Sequence, residues 1–420
     1  MDYTNCSMKN TFLSEMRSRG YLNQCTDLGK LTDIFNNQAV TAYIGFDCTA
    51  SSLHVGSLLQ IMVLKLMQKY GHRPIVLLGG GTTLIGDPSG KNSTRKILEK
   101  KEIKKNIENI KKVFIQILDT SNKKTKPIFV NNYDWLAKLN YIDFLRDIGT
   151  HFTINKMLSF DSVKIRLDRE QSLSYMEFNY MILQAYDFYQ LFKKNKCILQ
   201  IGGSDQWGNI VNGVELIRRM LKKDSFGLTT PLITLASGAK MGKTEEGAVW
   251  LNEELFSSYN YWQFWRNTDD RDVERFLNFF TEIKIDKIKE IVKNEKNINK
   301  LKILLANEAT KLLHGELASK KAEKTAEETF QSGGFSKNLP EIKINKNNLK
   351  LGIKILDLLS SNKIMSSKSE VRRAIKSNAL KLNNEIITDE NKTIKLLDFE
   401  NSKIMKISYG KKKHYLIKII

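Results

Sequence analysis

The side chains best suited to polyphosphate chemistry in this sequence are a cationic turn, KMGKT at 240–244, and a histidine followed by glycine, LHVGS at 53–57. Cations on a glycine-containing turn can form their contacts as charge develops on a transferring phosphoryl group. His54 stands where a helix begins, and there main-chain N–H groups and the helix dipole already favour an anion. Lys91 and Arg95, four apart, could share a face toward the same phosphates. A second set consists of carboxylates and amides. Tyr180, Gln184 and Asp187 fall at i, i+4 and i+7 of the helical stretch 174–188, so they lie on one face. Asp87 follows the turn Gly79, Gly80, Gly81, where a carboxylate can hold a ligand's ammonium group. That turn fits neither GxxxxGK[ST] nor GxGxxG, which disfavours the P-loop and dinucleotide readings. The plainer reading of its glycines is a tight turn at positive φ.

These groups need elements to position them. Strand-like runs (VTAYIGF, RPIVLLGG, KPIFV, KCILQIGG) alternate with amphipathic helical stretches such as 58–70 and 96–118, which argues for a parallel sheet with crossover helices. Ligands on such a sheet sit at the carboxyl ends of the strands, where the topology switches. Beyond the cationic turn the pattern becomes almost wholly helical over 257–330, and Gly, Ser and Pro punctuate the stretch that follows. The expected division is 1–250 as an α/β domain, 251–335 as an α-helical domain, 336–349 as a linker and 350–420 as a small α+β domain. In that tail, LGIKILDLLSSN and SKSEVRRAIKSN read as helices, the second begun at a serine cap, and three short strands follow.

Composition bounds the function. A chain of 420 residues with 41% hydrophobic residues exceeds one core and implies two or three domains. The formal charge of +21 favours polyanions, although only 14 of the 67 basic residues are Arg, and a Lys, Asn and Ile excess of this kind decorates any surface encoded by AT-rich DNA. Residues 350–420 hold 16 basic residues against 7 acidic ones, which points more directly to nucleic acid. No apolar run approaches the roughly 20 residues of a membrane span. The start MDYTNCSMKN has neither signal-peptide nor transit-peptide character, so the cytoplasm is expected. Cys6, Cys25, Cys48 and Cys197 show no CxxC spacing, and with five histidines no zinc pattern can be assembled, so no tightly bound protein metal is expected.

Four segments together, AYIGFDCTASSLHVGS, LLGGGTTLIGDPSGK, LQIGGSDQWGN and AKMGKTEEG, resemble the bacterial tyrosyl-tRNA synthetases among the class I aminoacyl-tRNA synthetases. HVGS is similar to the HIGH signature with Ser57 in place of the last His, and KMGKT to the KMSKS loop. The resemblance implies a Rossmann-like catalytic domain, a helical anticodon-side domain and a tail similar to an RNA-binding module of a ribosomal protein. It implies ATP as a substrate accompanied by Mg2+, with L-tyrosine and tRNA(Tyr) as the other substrates, a homodimer, and no membrane association. It places Tyr43 and Asp187 on the phenolic hydroxyl and Asp87, Tyr180 and Gln184 around the ammonium group, with Gln200 in the same amino-acid pocket. ATP would meet Asp47, Thr49, His54, Gly56, Ser57, Gly203, Asp205, Gln206 and Lys243, and the catalytic contacts to phosphate would come from His54, Lys91, Arg95, Lys240, Lys243 and Thr244. Arg372, Arg373 and Lys376 are the expected RNA contacts. Three other readings stay open at this stage: a nucleotidyltransferase without tRNA, an RNA-binding scaffold without catalysis, and tryptophan as the amino acid.

Overall fold

The computed structural model describes residues 11–88, 98–244, 247–331, 339–362, 364–399, 404–410 and 413–420. Its contacts form two compact units, one made of Met1–Met241 with Glu274–Glu290, the other of Gly242–Val273 with Ile291–Ile420.

The first unit is built on a six-stranded sheet: β1 (Gln24–Cys25), β2 (Thr41–Asp47), β3 (Arg73–Gly79), β4 (Ile128–Asn131), β5 (Leu199–Gly203) and β6 (Phe226–Thr230). Their order is β1-β6-β5-β2-β3-β4, and every pairing is parallel except that of the short edge strand β1 with β6. The strands β3, β5 and β6 read as near-continuous buried runs, as befits a parallel sheet covered by helices on both faces. From β2 the chain proceeds outward through β3 and β4, and it returns on the other side as β5 and β6. The switch point is thus β2 and its neighbour β5. The helices expected at 58–70 and 96–118 are present as Leu58–Lys69 and Lys100–Ile117, and both bury an apolar face.

The segment Glu274–Glu290 is tied into this unit through buried polar contacts from the N-terminal helix Phe12–Arg19. Arg19 donates to the carbonyls of Asn278, Thr281 and Ile283, each at 2.9 Å, and Tyr21 donates to that of Phe279 at 2.7 Å. The carbonyls released at the end of the helix Val273–Phe280 therefore find a guanidinium in place of water. Glu15 pairs with Arg19 at 2.8 Å and with Lys69 at 2.8 Å, and it accepts from the Tyr70 hydroxyl. Burial pulls the Glu15 carboxyl upward, but the hydrogen bonds from Lys69, Tyr70 and Arg19 outweigh it and hold the group at about 2.

In the second unit, the helices Ser258–Arg266, Ile298–His314 and Glu316–Gln331 pack on one another around buried Tyr261, Trp265, Leu305 and Ala309. The tail has its own core of Leu, Ile and Val side chains under a five-stranded sheet in the order Glu385–Ile386, Leu380–Leu382, Ile404–Tyr409, Lys413–Ile419, Glu341–Ile344. Its helices include Lys346–Leu351, Ile355–Ser361 and Lys368–Lys376, the last capped by Ser367, whose side chain accepts from the Glu370 N–H. Glu341–Ile344, inside the stretch read as a linker, runs as an edge strand parallel to Lys413–Ile419. It is only four residues long, and the Lys- and Asn-rich stretch that follows it makes the region pass for a linker in the sequence.

Replacing Arg19 by Ala should strip the cap from three carbonyls and leave Glu15 short of a partner, lowering unfolding stability by about 3 kcal/mol. Urea denaturation of the two proteins measures this. Because the Glu15 carboxyl is depressed by folding, its stabilisation is complete above its unfolded value and is lost as pH falls toward 2. The acid limb of the stability profile should therefore flatten in a Glu15→Gln variant.

Candidate functional site

At the carboxyl edge of the sheet, above the switch point, lies a cavity of about 310 Å3. Its walls include Tyr43, Gly45 and Asp47 from β2, Gln200 and Gly203 from β5, and Tyr180, Gln184 and Asp187 from the helix Tyr180–Asn195, with Asp87, Gly56, Ser57, Asp205 and Gln206. The predicted i, i+4, i+7 face of that helix is thus turned into one pocket. A separate turn, Tyr175–Phe178, precedes it and is closed by a capping box between Ser174 and Glu177.

Asp187 is the best-held carboxylate of the site. It is 1% exposed, and it accepts from Asn132 Nδ2 at 2.9 Å and from Trp135 Nε1 at 2.7 Å. Burial raises its carboxyl to about 7, against the pull of those two hydrogen bonds. Asn132 is itself fixed, its Oδ1 accepting from the Gly81 N–H and its Nδ2 also donating to Thr82 Oγ1. The Tyr43 hydroxyl is buried without a hydrogen-bond partner, and burial together with the charge of Asp187 raises it well above an ordinary tyrosine. Gln200 Oε1 is likewise buried and unpartnered. Orphaned buried polar atoms carry a desolvation cost, and a cavity lined by them is chemically incomplete until a ligand supplies the partners.

The second polar set forms a connected chain. Gln206 Nε2 donates to Asp87 at 2.8 Å, and Asn209 Nδ2 reaches both Gln206 Oε1 and Gln184 Oε1 at 3.1 Å. The Tyr180 hydroxyl donates to Asp47, whose carboxylate also accepts from Thr82 Oγ1. Through Thr82, Asp47 is thereby joined to Asn132 and so to Asp187. Asp205 is exposed at its own position; desolvation by the surrounding protein, then the charge of Asp87, raises its carboxyl, while Lys240 draws it down.

His54 caps the short 3-10 turn Val55–Ser57 by accepting from the Gly56 N–H at its Nδ1, 3.0 Å away, which leaves the ring proton on Nε2 in the neutral form. A Cβ on Gly56 would come within 2.7 Å of the His54 ring and of the Met241 carbonyl, so glycine there permits close approach. Ser57 lines the cavity and makes no capping bond. The glycine run departs from expectation in its reason: Gly79, Gly80 and Gly81 do not take positive φ, which here belongs to Gly86. A Cβ on Gly79 would meet Asp47 at 2.5 Å and one on Gly80 would meet Asn131 at 2.3 Å, so these glycines serve close packing of the strand ends.

Thr49 is exposed, and Thr49, His54 and Lys240 are not among the cavity walls. Lys240 ends a hairpin in which Thr234 bridges Lys240 and the Met241 N–H reaches the Ile233 carbonyl at 3.0 Å. Lys243 and Thr244 belong to a two-residue strand pairing with Gly247–Ala248. Lys91 and Arg95 lie outside the described residues. Arg372, Arg373 and Lys376 are exposed on the helix Lys368–Lys376. Asn132, Thr82 and Asn209 escaped sequence reasoning, and Trp135, which the sequence offers only as an interface or core aromatic, bonds to Asp187 instead; Asn132 follows directly on the end of β4, and that position at a strand's carboxyl end was the available signal.

Removing the Trp135 donor removes one of the bonds that stabilise ionised Asp187, so Trp135→Phe should move that carboxyl above its starting value of about 7. Carboxyl 13C NMR titration reads the shift, and an unmoved titration would mean that Trp135 does not bond to Asp187 in solution.

Residues 36–331 match the family model described as tRNA synthetases class I (W and Y), and residues 331–417 match that of the tyrosine--tRNA ligase SYY-like C-terminal domain. The chain is 62% identical over 411 residues to a tyrosine--tRNA ligase of Pelagibacter ubique, covering 98% of this chain and 100% of that one. To the tyrosine--tRNA ligase of Rickettsia prowazekii it is 50% identical over 412 residues, covering 97% and 100%. Its fold is similar to that of a C-terminally truncated mitochondrial tyrosyl-tRNA synthetase from Aspergillus nidulans, with a TM-score of 0.69, 29% identity and coverage of 77% of this chain and 95% of that one.

Proposed function

The chain belongs to the class I tyrosine–tRNA ligases, and from that premise we propose how its residues divide the work between amino acid, nucleotide and tRNA. The enzyme activates L-tyrosine with ATP, forming tyrosyl-adenylate and pyrophosphate, and transfers tyrosine to the 3′-terminal ribose of tRNA(Tyr).

One observation carries the assignment of the amino-acid subsite: a buried tyrosine hydroxyl without a partner lies within the electrostatic reach of a buried carboxylate with acceptor capacity. A phenolic hydroxyl suits both, accepting from Tyr43 and donating to Asp187. Phenylalanine would leave both groups unpaired, and tyrosine–tRNA ligases are themselves the standing example of that rule. An indole N–H can donate but not accept, so tryptophan would satisfy Asp187 and leave Tyr43 orphaned. At the other end of the substrate, Asp87, Tyr180 and Gln184 surround the ammonium group, and Gln200 completes the pocket.

The nucleotide occupies the remainder. Asp205 holds the ribose, Gly56 and Gly203 allow its close approach, and Gln206 lies by the reacting carboxylate and α-phosphate. Asp47, Thr49 and Ser57 flank the nucleotide. His54, Lys91, Arg95, Lys240, Lys243 and Thr244 face the phosphates, and Mg2+ arrives with ATP as part of the substrate. The tyrosine carboxylate attacks the α-phosphorus and the bond to pyrophosphate breaks. A carboxylate is already a competent nucleophile, so the protein contributes positioning and charge stabilisation and no general base. A ribose hydroxyl of the tRNA then takes the acyl group and AMP leaves.

Arg372, Arg373 and Lys376 contact tRNA phosphates from the tail. Activity in the cytoplasm follows the bacterial relatives. A second copy of the chain covers the large apolar side chains left exposed between 141 and 175, among them Tyr141, Ile142, Leu145, Ile154, Leu158 and Tyr175. Half of the exposed large hydrophobics of the described residues fall in this stretch, and that concentration supports the dimer.

Tyrosine-dependent exchange of pyrophosphate into ATP tests the subsite. Asp187→Ala should lower discrimination of tyrosine over phenylalanine by about tenfold or more while the KM for ATP holds. In the unaltered enzyme, kcat/KM for tyrosine should fall as pH drops below about 7, because a protonated Asp187 loses the charge that makes it a strong acceptor for the phenolic hydrogen. Equal discrimination in the variant would remove Asp187 from the pocket. Sedimentation velocity should show a dimer that Ile142→Asp splits.

A further inference from the structure

Helix Val273–Phe280 carries a side chain, Arg275, that no step above uses. Its Nη2 donates to the main-chain carbonyl of Thr234, and its guanidinium lies 5.1 Å over the Phe276 ring. Thr234 is the hairpin residue that bridges Lys240. The same hairpin is closed by the bond from Met241 N–H to the Ile233 carbonyl and by one from Leu235 N–H to Ala239 at 2.8 Å. Lys240 is exposed, and among the described residues no side-chain hydrogen bond fixes the height at which its ammonium stands; its charge nevertheless reaches Asp205 at the cavity. The base of the hairpin is held from outside, by Arg275. Arg275 is held in turn, because Arg19 and Tyr21 fasten the end of its helix to the body of the unit. A path of buried and part-buried hydrogen bonds therefore runs from the N-terminal helix through Arg275 to the hairpin that presents Lys240.

We infer that Arg275 is a positioning residue for the activation step, bracing the Thr234 carbonyl so that Lys240 meets the leaving pyrophosphate. This rests on the reading of Lys240 as a phosphate contact. A cation that forms its contact mainly in the transition state contributes to kcat and little to ATP binding, and its brace shares that signature. A guanidinium is suited to the role, since its planar fork reaches a carbonyl while its face stacks on Phe276.

The experiment is pyrophosphate exchange with the full-length enzyme carrying Arg275→Met, Lys240→Ala, and both. Methionine keeps the aliphatic bulk over Phe276 and removes the donor. The expected result for Arg275→Met is a kcat lower by about tenfold or more with the KM values for ATP and tyrosine within about twofold. In the Lys240→Ala background the same substitution should cost nothing further, because a brace has no effect once the braced group is gone. The same fractional loss in both backgrounds overturns the inference and leaves Arg275 as a general support, as does an unchanged kcat beside an impaired Lys240→Ala. Should Lys240→Ala alone leave kcat intact, the phosphate reading of Lys240 fails first and the brace with it, so that single variant tells the two failures apart. If Arg275→Met unfolds, Arg275→Lys, which keeps the charge and shortens the fork, is expected to show the same kcat loss at smaller size, and an unaltered kcat in it overturns the inference.

Discussion

Strand β2 is the constraint on which the catalytic unit depends. It pairs in parallel on both sides, with β3 in register from Thr41 with Arg73 to Asp47 with Gly79, and with β5 at Ala42 and Tyr43. Because the chain leaves it in opposite directions, the crossovers diverge above its carboxyl end and cannot fill the space between them. A crevice is unavoidable there. One strand thereby sends Tyr43 into the deep end of the crevice and Asp47 to its middle, and the turn beyond delivers Gly56 and Ser57 to its walls. The turn itself is pinned by buried contacts, the Cys48 N–H to Thr83 and Asn106 to the Cys48 carbonyl.

The electrostatics of the crevice follow from depth. Asp187 is buried, and burial alone would neutralise it; two N–H donors from the β4 side keep its ionisation within physiological range. Toward the opening the polar groups satisfy one another through Asp87, Gln206, Asn209 and Gln184, which makes a wall of defined shape before any substrate arrives. The deep end holds unmet hydrogen bonds and the shallow end holds met ones. On the proposed division of the site, selectivity for the substrate side chain and tolerance for a nucleotide belong to different parts of one cavity.

Much of this was legible in the sequence, for identifiable reasons. β2, β3, β4 and β5 announce themselves as apolar runs between helical stretches, and the face of Tyr180, Gln184 and Asp187 is fixed by helical spacing alone. β6 was not legible, since FGLTT contains glycine and two threonines and looks like a loop until its pairing with β5 is seen. Asn132 and Trp135 were invisible as a supporting pair because what joins them to the candidate site is a long-range approach to Asp187 across more than 50 residues of chain. The glycines of the 79–81 turn were assigned a backbone reason when the true one is crowding by Asp47 and Asn131, which no local pattern reveals. The edge strand Glu341–Ile344 was hidden by its shortness and by the Lys- and Asn-rich residues that follow it.

The interleaving of the two units carries a consequence for synthesis. The chain leaves the sheet-containing unit after Met241, re-enters it at Glu274 and departs for good after Glu290. Domains are made from the amino terminus at about 5–20 residues per second and usually close as soon as they emerge. Here closure must wait. Arg19 and Tyr21 are translated first and hold three carbonyls and one that appear some 260 residues later. On the ribosome the nascent sheet therefore spends on the order of ten seconds or more with its N-terminal helix unfastened, and the last stitch of the catalytic unit is sewn only while the helices of the other unit are already under construction.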